Sequence, residues 1–395
     1  MSAQAAGSVR SATRFVVLVG IVSLFADMTY EGARGITGPF LAVLGASGTV
    51  VGVVAGFGEL AGYVLRLASG RWADRTGRYW AITIFGYVVN LAAVPLLALA
   101  GAWPVAAALM VLERTGKALR TPARDAMLSH ATKQMGHGWG FGLHEALDQT
   151  GATLGPLVVA AALYFREGYR IAFAVLAVPA LFSIAMLLLA RRLYPRPQEL
   201  EIATPALRAA GFGGAYWLYL GGACCVALGY ADYPLLAYHF EKAGSVSAQW
   251  IATLYAIAMA VDGASALVFG RWFDRLGIQV LAAATAISVL FAPLAFFGGF
   301  AGALAGVVLW GIGMGAQESI MRAAVAALTP SERRGTAYGL FNLFFGVFWF
   351  AGSAAMGALY DLSVAALVVF SVGAQLAAMP LFVASHRNVA GPTRA

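Results

Sequence analysis

The residues with the greatest chemical capacity in this sequence are acids, guanidinium groups and one histidine set inside long apolar runs. Asp27, Glu31 and Arg34 are spaced four and three apart with Tyr30 beside them, so on a helix they share a face. Two acids against one guanidinium leave one acid uncompensated, and such a group can bind and release a proton near neutrality. The competing reading is an ion-pair cluster at the outer mouth of a span. His144, Glu145, Asp148 and Gln149 fall within about one and a half helical turns. A histidine beside carboxylates titrates near physiological pH, which would suit a proton relay. Static hydrogen bonding is the alternative. Two ligands on one helix are an incomplete metal site, so no metal is expected.

Glu59 lies near the centre of another apolar run, with Arg66 two turns further on, and is either a proton or substrate group or half of a structural pair. Downstream come Glu113, Arg114 and Lys117, then Arg120, Arg124 and Asp125. The Glu113 to Lys117 spacing favours a pair along one helix, which would leave Arg114 to receive an anionic group. Arg120 and Arg124 read as positive charge at a cytoplasmic helix end, and Pro122 between them predicts a kink or a stop. The C-terminal half is poorer in charge: Asp232, Asp262, and Glu318 four residues before Arg322. Proton coupling is therefore expected in the N-terminal half. Tyr230, Tyr233, Trp310 and Asn342 are candidates to contact an apolar or amphipathic solute.

The elements that carry these residues follow from composition. Of 395 residues, 61% are hydrophobic and 11% charged, against about 25% charged in soluble chains. Lipid is the expected solvent. At roughly 20 apolar residues per span, the length suits twelve transmembrane helices, near 13–33, 48–68, 80–101, 103–121, 139–163, 171–191, 215–238, 246–268, 278–299, 301–325, 335–359 and 362–385. The first has Arg10 and Arg14 before it, as a signal peptide would, but no small-residue cleavage site after it, and reads as an uncleaved helix. A polar stretch containing Arg191, Arg192, Pro195 and Arg208 divides the chain into an N-terminal six-helix half (1–192), a cytoplasmic linker (193–213) and a C-terminal six-helix half with a short tail (214–395). Adjacent Cys224 and Cys225 point in different directions on a helix and read as packing residues.

The formal charge of +8 does not imply a nucleic acid partner here, because its distribution follows the loops. The tails and even-numbered loops hold most Lys and Arg, Arg71, Arg75, Arg78, Arg191, Arg192, Arg271 and Arg275 among them. The odd-numbered loops hold only Arg34, Arg166, Arg170 and Lys242. Both termini are therefore expected in the cytoplasm, and the protein in a plasma (inner) membrane.

The segment Gly70-Arg71-Trp72-Ala73-Asp74-Arg75-Thr76-Gly77 recurs as Gly270-Arg271-Trp272-Phe273-Asp274-Arg275-Leu276-Gly277, identical at six of eight positions, after the second span of each half. With Arg78 it resembles the signature between helices two and three of the major facilitator superfamily. Gly151-Ala152-Thr153-Leu154-Gly155-Pro156 is similar to the glycine-proline signature of superfamily antiporters, without its trailing glycine pair. The resemblance implies an all-α membrane protein on the major facilitator fold, with spans three, six, nine and twelve outermost. Those four spans carry no charged residue or histidine between their ends, which agrees with that layering. It also implies that Asp74 latches the cytoplasmic ends, with Gly70, Arg75, Gly77 and Arg78 around it, Arg120 and Arg124 as contacts, and Asp274 as counterpart.

No phosphate-binding Gly-x-x-x-x-Gly-Lys-Ser/Thr, His-Glu-x-x-His or nucleophile elbow occurs, so neither an ATPase nor an enzyme is expected, and no cofactor. The resulting expectation is a monomeric secondary transporter in the lipid bilayer whose partners are protons and a small organic solute, with export favoured. Import of an organic anion, or a non-transporting receptor on the same fold, is the alternative.

Overall fold

The computed structural model describes residues 3–135, 137–165, 168–196, 212–329 and 334–390. Among them are fifteen α-helices. They are α1 (Ala3–Val43), α2 (Gly48–Thr76), α3 (Tyr79–Leu96), α4 (Trp103–Met135), α5 (His137–Phe165), α6 (Tyr169–Val175), α7 (Ala177–Leu193), α8 (Gly214–Gly229), α9 (Tyr233–Ala243), α10 (Ala248–Leu276), α11 (Gln279–Ser288), α12 (Phe291–Phe297), α13 (Gly299–Leu328), α14 (Arg334–Leu362) and α15 (Val364–Ala390). Three passes are broken in two, α6 with α7, α8 with α9 and α11 with α12, so fifteen helices make twelve passes.

Eleven of these passes are long and apolar enough to cross a membrane. The twelfth is α4, whose 33 residues are long enough at about 1.5 Å each but carry the charges noted above. Leu99, Phe165 and Leu362 are 78%, 77% and 82% exposed, as side chains solvated by lipid rather than water would be.

Two helices outrun their expected ends. The first was expected to stop near residue 33, but α1 continues through Pro39 to Val43, which moves Asp27 from the outer third of the pass to its middle. The kink or stop expected at Pro122 does not end α4, which runs on to Met135. Membrane helices tolerate proline when neighbouring groups satisfy the freed carbonyls. Beside it, the Thr121 hydroxyl donates to the Lys117 carbonyl at 2.7 Å.

The chain divides into two compact units, Met1–Ile36 with Ala61–Thr204, and Thr37–Leu60 with Pro205–Ala395. In the first, α3 and α4 pack backbone to backbone: a Cβ on Gly86 would lie 2.7 Å from Arg120 N, and one on Gly116 2.7 Å from Asn90 Cα. In the second, Asp361 at the end of α14 accepts from Gly48 N at 2.8 Å and Thr49 N at 2.7 Å, capping α2. The recurring eight-residue segment ends α2 and α10 in the same way. Gly77 and Gly277, the residues that follow the two helices, adopt φ of 64° and 67°, positive values that glycine takes without strain. Cys224 and Cys225 are free thiols.

Candidate functional site

The charged side chains of the first unit converge from α1, α4 and α5, with α3 behind them. On α1, Asp27 and Glu31 are both 7% exposed. The Tyr30 hydroxyl donates to Asp27 Oδ1 at 2.5 Å. Glu31 Oε1 lies 3.6 Å from Lys117 Nζ and 4.0 Å from Arg34 Nη1. The Lys117 ammonium also sits 3.9 Å from the centroid of the Tyr30 ring, a cation–π contact strengthened by exclusion of water.

Glu113 is met by Arg114 Nε at 3.3 Å and by Asn90 Nδ2 at 2.7 Å. This corrects the pairing expected along one helix: Lys117 turns across to α1, where a carboxylate and an aromatic face await it, while Arg114 takes Glu113. Asn90 and Tyr87 sit on α3 in a span without charge. They were not singled out from the sequence, although lone polar groups in an otherwise apolar pass are the available signal.

Deeper along α4, Arg120 is 1% exposed. Its guanidinium carbon stands 4.1 Å from the Tyr87 ring centroid and 5.6 Å from that of Tyr30. Arg124 donates to Asp125 Oδ1 and to Ser23 Oγ, at 2.9 and 3.0 Å, and lies 4.0 Å from Asp148 Oδ2. Both arginines thus face α1, α3 and α5 rather than a solvated helix end.

On α5, His144 Nδ1 is 3.5 Å from Asp148 Oδ2 and its Nε2 is 3.0 Å from Ser23 Oγ. Asp148 Oδ1 is buried with no hydrogen-bond partner among the described residues. Glu145 is exposed and accepts from Gln149 at 3.3 Å. Below this cluster α5 lies against α1 through Gly151 and Gly155, whose added Cβ atoms would fall 2.9 Å from Leu24 C and 2.8 Å from Met28 Cα. Pro156 follows, buried. No group of three or more His, Cys, Asp or Glu among the described residues is placed to hold a metal ion.

The remaining candidates lie in the second unit or at the end of α2. Glu59 is half-buried on the part of α2 that belongs to the second unit. Tyr230 and Trp310 are 0% and 1% exposed. The Tyr230 hydroxyl donates to the Trp310 carbonyl and Trp310 Nε1 to the Ala231 carbonyl, so their polar atoms serve packing of the second unit. Asn342 is half-buried on α14. Asp232 is held by Trp349 Nε1 at 2.8 Å and Ser353 Oγ at 3.1 Å. Gly70 lies in the last two turns of α2, and Arg75 and Arg78 are exposed at its end. The side chains of Asp74 and Asp274 lie outside the described residues.

A family model described as Major Facilitator Superfamily matches residues 19–353 and 225–394. An uncharacterized protein of Mycobacterium tuberculosis (strain ATCC 25618 / H37Rv) is 44% identical over 381 residues, covering 95% of this chain and 93% of its own length. The crystal structure of the nucleoside transporter NupG superposes with a TM-score of 0.74 at 15% identity, over 94% of this chain and 99% of that one. The POT family transporter PepTSo does so with a TM-score of 0.74 at 13% identity, over 95% and 98%. At these identities the likeness to both structures is one of fold.

Proposed function

Because the chain belongs to the Major Facilitator Superfamily of membrane transporters, we propose that it is a secondary transporter of a small organic solute, coupled to protons and working by alternating access. The observation that carries this reading is the state of Asp148. One of its oxygens is shared by His144 and Arg124 while the other is buried without a donor among the described residues. Burying a carboxylate oxygen without a donor costs free energy, and a bound proton relieves that cost. Neighbouring Asp27, buried and bonded to Tyr30, is a second acid through which the same proton could pass.

Alternating access supplies the two environments that proton coupling needs. An acid open to one side takes up a proton, and the same acid closed among cations on the other side releases it. Export is the favoured direction, supported by the glycine seam between α5 and α1 at the segment similar to the antiporter signature. The basic loops support cytoplasmic termini in a plasma (inner) membrane, and the protein acts as a monomer.

The test is reconstitution into proteoliposomes containing a pH-sensitive dye. Addition of transported solutes from a chemically diverse panel is expected to drive proton flux, and an imposed proton gradient to drive solute accumulation. Solute movement that ignores the proton gradient and moves no protons would overturn the coupling.

A further inference from the structure

Arg120 is the odd member of the buried cluster. Among the described residues the ion pairs there engage Arg34, Arg114, Lys117 and Arg124, and Arg120 takes part in none of them. It is 1% exposed, its Nε and Nη1 are buried without a hydrogen-bond acceptor among the described residues, and the guanidinium lies over the faces of Tyr87 and Tyr30. Aromatic faces hold the plane of a guanidinium in place but accept none of its in-plane N–H bonds. A buried cation with unmet donors is costly, so an acceptor brought from outside the chain is strongly favoured.

The geometry also says which acceptor. The two unmet nitrogens belong to different edges of the guanidinium, Nε with Nη2 and Nη1 with Nη2, and each edge matches two oxygens of a planar or tetrahedral oxyanion. One turn away Lys117 is 21% exposed, and Asp148 is 16% exposed on the facing helix. These partly open neighbours mark the side from which a ligand would arrive. Lys117 adds a second positive charge there and Tyr30 an apolar face.

We propose that Arg120 is the anchor of a binding site for an oxyanion group, a carboxylate or a phosphate, with Lys117 as the second cation. Resting on the transport reading above, this makes the solute an organic anion. Arg120 fixes the orientation of its charged group by bidentate bonding, and the Tyr30 ring contacts the part next to it.

The experiment measures thermal stability of the purified protein in nanodiscs during titration with succinate, with inorganic phosphate, and with chloride at equal ionic strength. In discs of zwitterionic lipid, succinate or phosphate is expected to raise the unfolding temperature of the wild type beyond chloride. Arg120→Gln is expected to lose that shift, and Arg120→Lys, which keeps the charge but not the fork, to need at least tenfold more anion. A shift that appears only when the discs contain phosphatidylglycerol, and is lost in Arg120→Gln, supports the same oxyanion site with a lipid headgroup as its source. No oxyanion effect in the wild type under either condition overturns the site. Undiminished binding in Arg120→Gln overturns the anchor, and where that variant is not recovered folded, undiminished binding in Arg120→Lys does so. Proton-driven transport of neutral or cationic solutes alone would remove the oxyanion site and leave the transport reading intact, whereas oxyanion binding without proton-linked transport would do the reverse.

Discussion

Lys117 stands 3.9 Å from the ring centroid of Tyr30, with its Nζ 3.6 Å from Glu31, so a single ammonium joins α4 to α1 through an aromatic face and a carboxylate together. Tyr30 in turn spends its hydroxyl on Asp27. The ring and the hydroxyl therefore serve different partners, and two substitutions separate them. Tyr30→Phe keeps the ring under Lys117 and removes the donor to Asp27. It is expected to cost about 1–3 kcal/mol of thermal stability, because buried Asp27 loses its donor, and to slow proton-linked transport. Tyr30→Leu removes both and is expected to lower the unfolding temperature further, read by differential scanning fluorimetry. Equal behaviour of the two variants would mean that the ring is idle, and wild-type behaviour of Tyr30→Phe that the hydroxyl is.

Coupling is expected to fail when Asp148 is made neutral. In proteoliposomes, Asp148→Asn should abolish accumulation driven by a pH gradient while sparing solute exchange, which needs no net proton movement. Glu59→Gln is expected to behave the same way if Glu59 carries the proton, and like the wild type if it is a structural group. Full gradient-driven transport in both variants would reduce these acids to packing.

The signature loop is expected to act on conformation and not on folding. Asp74→Asn should insert and purify as the wild type does, yet transport solute more slowly, because only the balance between conformers changes. Initial rates in proteoliposomes decide this, and unchanged rates would remove Asp74 from the mechanism.

Close packing of α5 on α1 makes Gly151 intolerant of any side chain. Gly151→Ala places a Cβ 2.9 Å from Leu24 C and is expected to cost about 1–3 kcal/mol. Gly62→Ala is the control, because a Cβ there meets nothing within 4 Å, and in a helix it is expected to be neutral or to stabilise by up to about 1 kcal/mol. Thermal unfolding in detergent would show whether the two differ.

Reporter fusions after Arg208 and at the C-terminus are both expected to register cytoplasmic, as the Lys and Arg distribution requires. An external signal from either would overturn the orientation.

Much of this architecture is legible in the residues because the bilayer imposes simple rules. Apolar runs of fixed length gave the passes, and the repeated segment ending at Gly77 and Gly277 located the second pass of each half. The acids and cations of α1, α4 and α5 were visible as expensive residues in apolar surroundings. Their partners were not, since helical spacing reports neighbours along one helix only. Lys117 was assigned to Glu113 on its own helix, whereas the attraction of Glu31 and Tyr30 lies across the packing interface. Arg120 looked like a loop charge because Pro122 suggested a helix end, and only the continuation of α4 to Met135 places it inside. Tyr230 and Trp310 read as solute contacts because aromatic residues with polar tips serve either role, and helical spacing does not report the backbone carbonyls to which their polar atoms bond.

The continuous charge along α4 bears on how the protein is made. Each ionised residue near the centre of a helix entering the bilayer alone costs roughly 3 kcal/mol, and α4 brings Glu113, Arg114 and Lys117 within a single stretch. Its partner α3 is strongly apolar, meets it glycine to backbone at Gly86 and Gly116, and supplies Asn90 to Glu113. The two helices are separated by a turn of a few residues. Helix α4 is therefore expected to enter lipid as one arm of a hairpin with α3, its charges sheltered first on that arm and then on α1, which precedes both in the chain.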